Sequence, residues 1–202
     1  QFPSHNTVCV DGISSYPVMK SNHSFDLLSC FPASAEPGKA FTSVTYSNLY
    51  FREPESRADQ TRMMSIVTTG AETGYYVDVF RSRKEKGGDK MHDYFYHNLG
   101  QTLTLTAADG SDLNLQPTEE LAFAGAHLYA YSYLYDKKVA ATNKDVKATF
   151  TIDMKDKDGD DIYMNLWMKG ELDREVFTAL APMTEGLSRT PNMPYNIKEQ
   201  PT

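Results

Sequence analysis

Across 202 residues, 20 Lys and Arg stand against 27 Asp and Glu, a net charge of -7 with a pI near 5.2, and 40% of the residues are hydrophobic. That is enough apolar material for a sizeable core, and the acidic balance argues against a nucleic-acid-binding face, which needs clustered Lys and Arg. Mean hydropathy is -0.52, and no apolar run approaches the roughly 20 residues that cross a bilayer, so no membrane span is expected.

In chain order, the first segment is "SHNTVCVDG" at 4–12. A His-Asn-Thr leads into a strand over Thr7 to Val10 and a turn-forming Asp-Gly, with almost nothing in front; this reads as the middle of something rather than as a frayed end. Cys9 in that strand and Cys30 further on are the two cysteines. They permit one disulfide or two buried thiols, and the sequence leaves both open. Period-two alternation and β-branched or aromatic runs then predict strands over Phe41 to Phe51, Thr61 to Thr69, Tyr75 to Arg83, Met91 to Asn98, Thr102 to Ala107 and His127 to Tyr135. Lys147 to Met154, Ile162 to Lys169 and Glu175 to Leu180 complete the set. Turn chemistry separates them at "TTGAETG", "KGGDK", "ADGSD" and "KDKDGDD". Helical periodicity is scarce, so the fold class is all-β, an antiparallel β-sandwich. No repeat or low-complexity linker marks a boundary, and residues 1–202 read as a single domain.

Three clusters carry candidate chemistry. In "HLYAYSYLYD", Tyr129, Tyr131, Tyr133 and Tyr135 share one face of a strand, either as ordinary cross-strand packing or as a platform for sugar rings. "DKDGDD" at 156–161 has the alternating carboxylates of a calcium loop but lacks the glutamate at the twelfth position, where Trp167 stands. Between two alternating runs it reads as a hairpin turn. The densest ionisable cluster is "GYYVDVFRSRKEKGGDKMHDYFYHN" at 74–98. His92 and His97 lie five residues apart, hence on opposite faces of a regular strand, and do not share an ion unless a bulge intervenes. Each reads as a hydrogen-bonded structural group or as a catalyst. Arg81, Arg83, Lys84 and Lys86 read as a solvated hairpin end or as a polyanion contact.

These motifs in order, "HNTVCVDG", "TRMMSIV", "YYVDVFRSR" with "GG" and "HDYFYH", and "LTLTAADGSDLNL", resemble the heparinase II/III-like family of polysaccharide lyases. The similarity runs from His5 to about Leu115 and continues more loosely through "LWMKGELDREVFTALAP". The resemblance implies an α/α toroid of helices joined to a C-terminal β-sandwich, and cleavage of uronate-containing polysaccharide by β-elimination. It also implies a zinc ion held by an upstream His-x-His-x-Asp segment, an aspartate and the histidine of His-Asn-Thr, which makes His5 one metal ligand. Arg81, Arg83, His92 and His97 are the candidate substrate-binding residues.

The 202 residues contain no His-x-His-x-Asp, no toroid, and no match to the family's proton-transferring tyrosine and histidine, and "NMPYNIKEQPT" stops before the last sandwich strands. The expectation is therefore a fragment of a larger lyase, truncated at both ends and inactive alone, with its main catalytic residues outside this chain. Zinc is expected in the parent enzyme but not bound tightly by the fragment, since a site needs three or four ligands. Expected partners are an acidic polysaccharide (heparin-like glycans, alginate and ulvan are all uronate polymers) and the remainder of the same enzyme, its toroid and first sandwich strands. The family resemblance places it in the periplasm or outside the cell. The alternative is a non-catalytic carbohydrate-binding β-sandwich module, since a fold alone does not fix a function.

Overall fold

The computed structural model describes residues 5–12, 24–32, 43–53, 56–86, 91–120, 134–182 and 199–202. They form thirteen strands, one 3-10 turn at Lys155–Lys157 and, among the described residues, no α-helix. The strand pairings within the three larger sheets are all antiparallel. The chain is all-β, with the architecture of a β-sandwich. It divides into two compact units, Val8–Asp93 and the combination of Gln1–Thr7 with Tyr94–Thr202. Strands β1 (Thr7–Val10) and β6 (His92–Phe95) form a two-stranded ribbon where the chain passes from one unit to the other.

The Val8–Asp93 unit is built on a four-stranded meander of β2 (Asp26–Phe31), β3 (Val44–Glu53), β4 (Ala58–Thr68) and β5 (Gly74–Arg83), in that order across the sheet. The expected turn at 68–74 joins β4 to β5, where the Thr69 and Gly70 amides both donate to the Thr73 carbonyl. The β3–β4 turn closes more tightly. Ser56 N donates to the buried Glu53 carboxylate, Ala58 N donates to Ser56 Oγ at 3.3 Å, and Arg57 takes a left-handed φ of 57°. Strand β2 was not expected, because "DLLSCF" has no clean alternation. Its pairing with β3 slips between Leu27 and Ser29, and such a bulge erases the period that sequence reading depends on. Cys9 is buried, Cys30 is half-buried, and both are free thiols.

The other unit contains two sheets. One orders β11 (Ile162–Met168), β10 (Val146–Ile152) and β7 (Thr102–Ala107). The second orders β13 (Glu199–Pro201), β12 (Arg174–Pro182), β9 (Tyr135–Thr142) and β8 (Gln116–Pro117). In the three-stranded sheet, the register sets Val146, Ala148 and Phe150 opposite Met168, Leu166 and Met164 on one side and Ala107, Leu105 and Leu103 on the other. Cross-strand partners share a face, so one face is wholly apolar, and Val146, Ala148 and Phe150 are buried in the core. Phe150 also packs on Tyr96, with ring centroids 5.8 Å apart. The last residue is pinned to β12 by reciprocal bonds between Thr202 and Ala179 at 2.8 and 2.9 Å.

The "KDKDGDD" stretch is the hairpin turn connecting β10 to β11, with Asp158 at a φ of 52°. The strand expected over His127 to Tyr135 lies, but for Leu134 and Tyr135, outside the described residues, and with it Tyr129, Tyr131 and Tyr133 of the tyrosine face. The turn from β11 to β12 depends on a close approach. Gly170 N donates to Asp145 Oδ1 at 2.6 Å, and a Cβ on Gly170 would stand 2.3 Å from Asn143 O and 2.5 Å from Lys144 C. That bond holds the Asp145 carboxyl below its usual range.

Phe150→Ala should lower unfolding free energy by about 3–5 kcal/mol, because it removes a ring that is 2% exposed and leaves a cavity. Urea denaturation monitored by circular dichroism measures it. Gly170→Ala should also lower the midpoint, since the backbone facing it cannot yield as a side chain could. Midpoints equal to the parent's would mean that these packing arrangements do not hold the fold.

Candidate functional site

Strand β5 decides how the sequence-predicted site residues are distributed. Successive side chains alternate faces, so Arg81 and Arg83 point to one face of the sheet and Ser82 to the other. His92 approaches Ser82, with Nδ1 2.9 Å from Oγ. Gln60 Nε2 donates to the same Oγ at 3.1 Å and to Val8 O at 3.3 Å. Ser82 Oγ thus joins Gln60 and His92 in one hydrogen-bonded cluster. His92 therefore belongs to a network behind the sheet, and the two arginines belong in front of it.

His97 lies in the other unit with its own partners. Its backbone N–H donates to Asn6 Oδ1 at 2.6 Å, its Nδ1 lies 2.6 Å from Thr202 Oγ1, and its ring stacks on Phe95 at 6.2 Å. It ties the His-Asn-Thr segment and the last described strand to β6. His5 itself is exposed, and among the described residues no group of three or more His, Cys, Asp or Glu side chains is placed to hold a metal ion.

On the front face, the register sets Arg52 opposite Asp59 and Asp59 opposite Arg83, with Tyr50, Thr61 and Arg81 in the next row. Beside this end of the sheet, the β3–β4 turn and the tail of β5 enclose a solvent-open groove of about 440 Å³ lined by Arg52, Ser56, Arg57, Asp59, Lys84, Glu85 and Lys86. The carboxylates and one cation are engaged. Lys84 Nζ meets Asp11 at 2.7 Å, Glu85 meets Arg83 at 3.3 Å, and Asp59 Oδ1 accepts from Tyr50 OH at 2.7 Å. Arg52, Arg57 and Lys86 have no acidic partner among the described residues, so the groove carries a positive surplus on an acidic chain. Sequence reading pointed to Lys84 and Lys86 but missed Arg52 and Arg57. The signal was the turn "REPESR", whose closure brings Arg57 beside the end of β5.

The bond to the Asp59 carboxylate raises the Tyr50 phenol above its usual range. At neutral pH Tyr50 is thus a hydrogen-bond donor and not a base. Arg62, at the head of "RMMSIV", is neutralised by a two-point contact with Asp78 at 2.9 and 2.6 Å and lies 5.2 Å over the Phe80 ring. It is committed to the fold.

Over 143 residues the chain is 32% identical to an endo-acting ulvan lyase from Formosa agariphila, and the aligned stretch takes in 69% of this chain and 17% of that protein. No family model matches the chain. No solved structure matches it. The chain is thus homologous to a polysaccharide lyase and spans about a sixth of that relative's length.

Asp59→Asn removes the anionic acceptor, and the Tyr50 phenol should then titrate at lower pH, nearer an ordinary tyrosine. Carbon-13 NMR of ring-labelled protein follows this directly. An unshifted titration would mean that the Tyr50–Asp59 bond is not made in solution.

Proposed function

We propose that this chain is the β-sandwich portion of a polysaccharide lyase that cleaves uronate-containing polysaccharide by β-elimination, and that it does not turn over substrate by itself. The homology to an endo-acting ulvan lyase carries the reading. The parent would have the heparinase II/III-like arrangement, with an α/α toroid and the first sandwich strands completing the cleft. A polymer too large to be taken up whole has to be cut outside the cytoplasm, which suits a periplasmic or secreted enzyme.

Elimination requires a base for the C5 proton, positive charge to neutralise the uronate carboxylate as carbanion character develops, and an acid for the leaving oxygen. Arg52, Arg57 and Lys86 are suited to the second task or to holding neighbouring acidic sugars, with Arg81 and Arg83 on the adjoining sheet face. Tyr50, held protonated, is unsuited to be the base, so the proton-transferring groups would come from the toroid. The described residues do not make a zinc site among themselves. His5 would furnish one ligand, the others coming from an upstream His-x-His-x-Asp segment and an aspartate, and the ion would brace the strands bordering the cleft.

Peptide mapping of both termini, with intact mass and a search for companion polypeptides, comes first. A longer polypeptide or helix-rich companion carrying His-x-His-x-Asp should release unsaturated uronate from ulvan, seen by its ultraviolet absorbance, while the 202-residue chain alone should not. Turnover by the chain alone, or native termini at both ends of the 202 residues, would overturn the reading. Within the chain, Arg52→Gln and Arg57→Gln should each weaken retention on an ulvan-containing gel by about twofold to fivefold, the range of an exposed ion pair. The loss should shrink as salt is raised; retention unchanged at low salt would remove the groove from the substrate path.

A further inference from the structure

The burial of Val146, Ala148 and Phe150 has a counterpart on the opposite face of the same three strands. There the register aligns Tyr163 with Thr151 and Thr102, Asn165 with Thr149 and Thr104, and Trp167 with Lys147 and Thr106. Two large aromatic side chains on this face are each 59% exposed. Two exposed rings on one face of one strand, with only Asn165 between them on that face, offer a surface on which a ligand can lie.

The polar groups around the rings are placed for a particular ligand chemistry. Lys147 Nζ lies over the Trp167 ring, 5.4 Å from its centre, a cation–π contact that occupies one face of the indole, so a sugar would stack on the other. The Thr149 hydroxyl donates to Asn165 Oδ1 at 2.9 Å. That commits the amide oxygen and leaves the Nδ2 donors open between the two rings. Threonines 102, 104, 106 and 151 complete a row of hydroxyls. At the far end the Tyr163 hydroxyl donates to Asp161 Oδ2 at 3.3 Å, while beyond Trp167 the Lys169 ammonium is engaged by Asp145 and Glu171 at 3.3 and 3.6 Å, which leaves Lys147 as the cation on Trp167.

We infer that this outer face of β7, β10 and β11 is a binding platform for an acidic polysaccharide, Trp167 and Tyr163 stacking on sugar rings and Lys147 pairing with an anionic group on the sugar over Trp167. The choice of an acidic glycan rests on the lyase reading above; the stacking face stands on the sheet geometry. Residues 163 and 167 are four positions apart along one strand, about 13 Å, which is the span of a short oligosaccharide and not of a single ring. Aromatic faces supply the apolar contact that a sugar's C–H surface accepts, and the amide and hydroxyl row supplies its hydrogen bonds. An uncharged or acidic sugar can lie over Trp167, but the Asp161 carboxylate disfavours an acidic one over Tyr163. The platform would keep polymer near the enzyme between cuts without taking part in the chemistry.

Trp167 is the chain's single tryptophan, so its emission reports this face alone. Titration of the 202-residue chain with ulvan should change that emission to saturation, whereas the neutral hydroxyethylcellulose should do so more weakly. By affinity gel electrophoresis, Trp167→Ala should weaken ulvan binding about tenfold or more, Tyr163→Ala and Lys147→Gln several-fold, with melting temperatures near the parent's because the side chains are exposed. Ulvan binding that leaves the emission and all three variants unaffected would overturn the platform. So would a parent chain that sediments as a dimer and becomes monomeric on Trp167→Ala, since the face would then be covered by a second copy. Equal binding of both polymers with no effect of Lys147→Gln would overturn the acidic assignment. None of these readouts depends on turnover, so failure of the elimination assay with ulvan counts against the lyase reading and not against the platform.

Discussion

Strand β10 lies between two neighbours and cannot rotate without breaking both ladders. Its period of two drives Val146, Ala148 and Phe150 into the core, and the same backbone then presents Lys147, Thr149 and Thr151 on the other side. Antiparallel register passes this division to β7 and β11 residue by residue. A slip of one position would bury Lys147 and expose Phe150, at a cost in desolvated charge and lost apolar burial that no local contact could offset. The inner face thus fixes the register, and the register places Trp167 beside Lys147.

The four-stranded sheet in the other unit uses the same alternation differently. Its β4 strand buries Gln60, whose amide reaches Val8 O and Ser82 Oγ, while Oε1 is buried with no hydrogen-bond partner among the described residues. An unpaired acceptor of this kind costs roughly 1–3 kcal/mol. The rear face is therefore committed to joining β1 and His92 to the sheet. The front face at the same end, with Arg52, Asp59 and Arg83 in one row, borders the groove where Arg52, Arg57 and Lys86 have no acidic partner among the described residues. Positive surplus on a chain of net charge -7 is local, and its reach in physiological salt is about one Debye length, roughly 8 Å. It acts on groups that enter the groove, not by steering from a distance.

Histidine placement follows from these constraints. His92 and His97 flank a short strand, yet one bonds to a serine on β5 and the other to Asn6 and Thr202. β6 covers only His92–Phe95 of the strand expected over Met91 to Asn98, so strand alternation does not set His97, and each histidine is held by its own partners. His97 does for the ends of its unit what a staple would do, since Asn6 and Thr202 come from the two extremes of the described chain.

What the residues determined alone was the all-β class, the strands that alternate cleanly and the turns that punctuate them. β1 and β7 were legible to the residue, and β5, β10 and β11 to within about two, because alternation and turn-forming residues are properties of neighbouring positions. The resemblance to a polysaccharide lyase was legible for a related reason, since it lies in the order of motifs along the chain. Strand β2, with its bulged pairing, and the strand at Tyr135–Thr142, whose apolar residues do not alternate, were not. Nor was it legible that Arg81 and His92 part company across a sheet, that Arg57 joins the β5 lysines, or that Trp167 lies under Lys147. Those are cross-strand facts, separated by tens of residues in sequence. They follow from which ladder each strand joins and in which register, a choice made by burial of the whole apolar face and not by any local pattern.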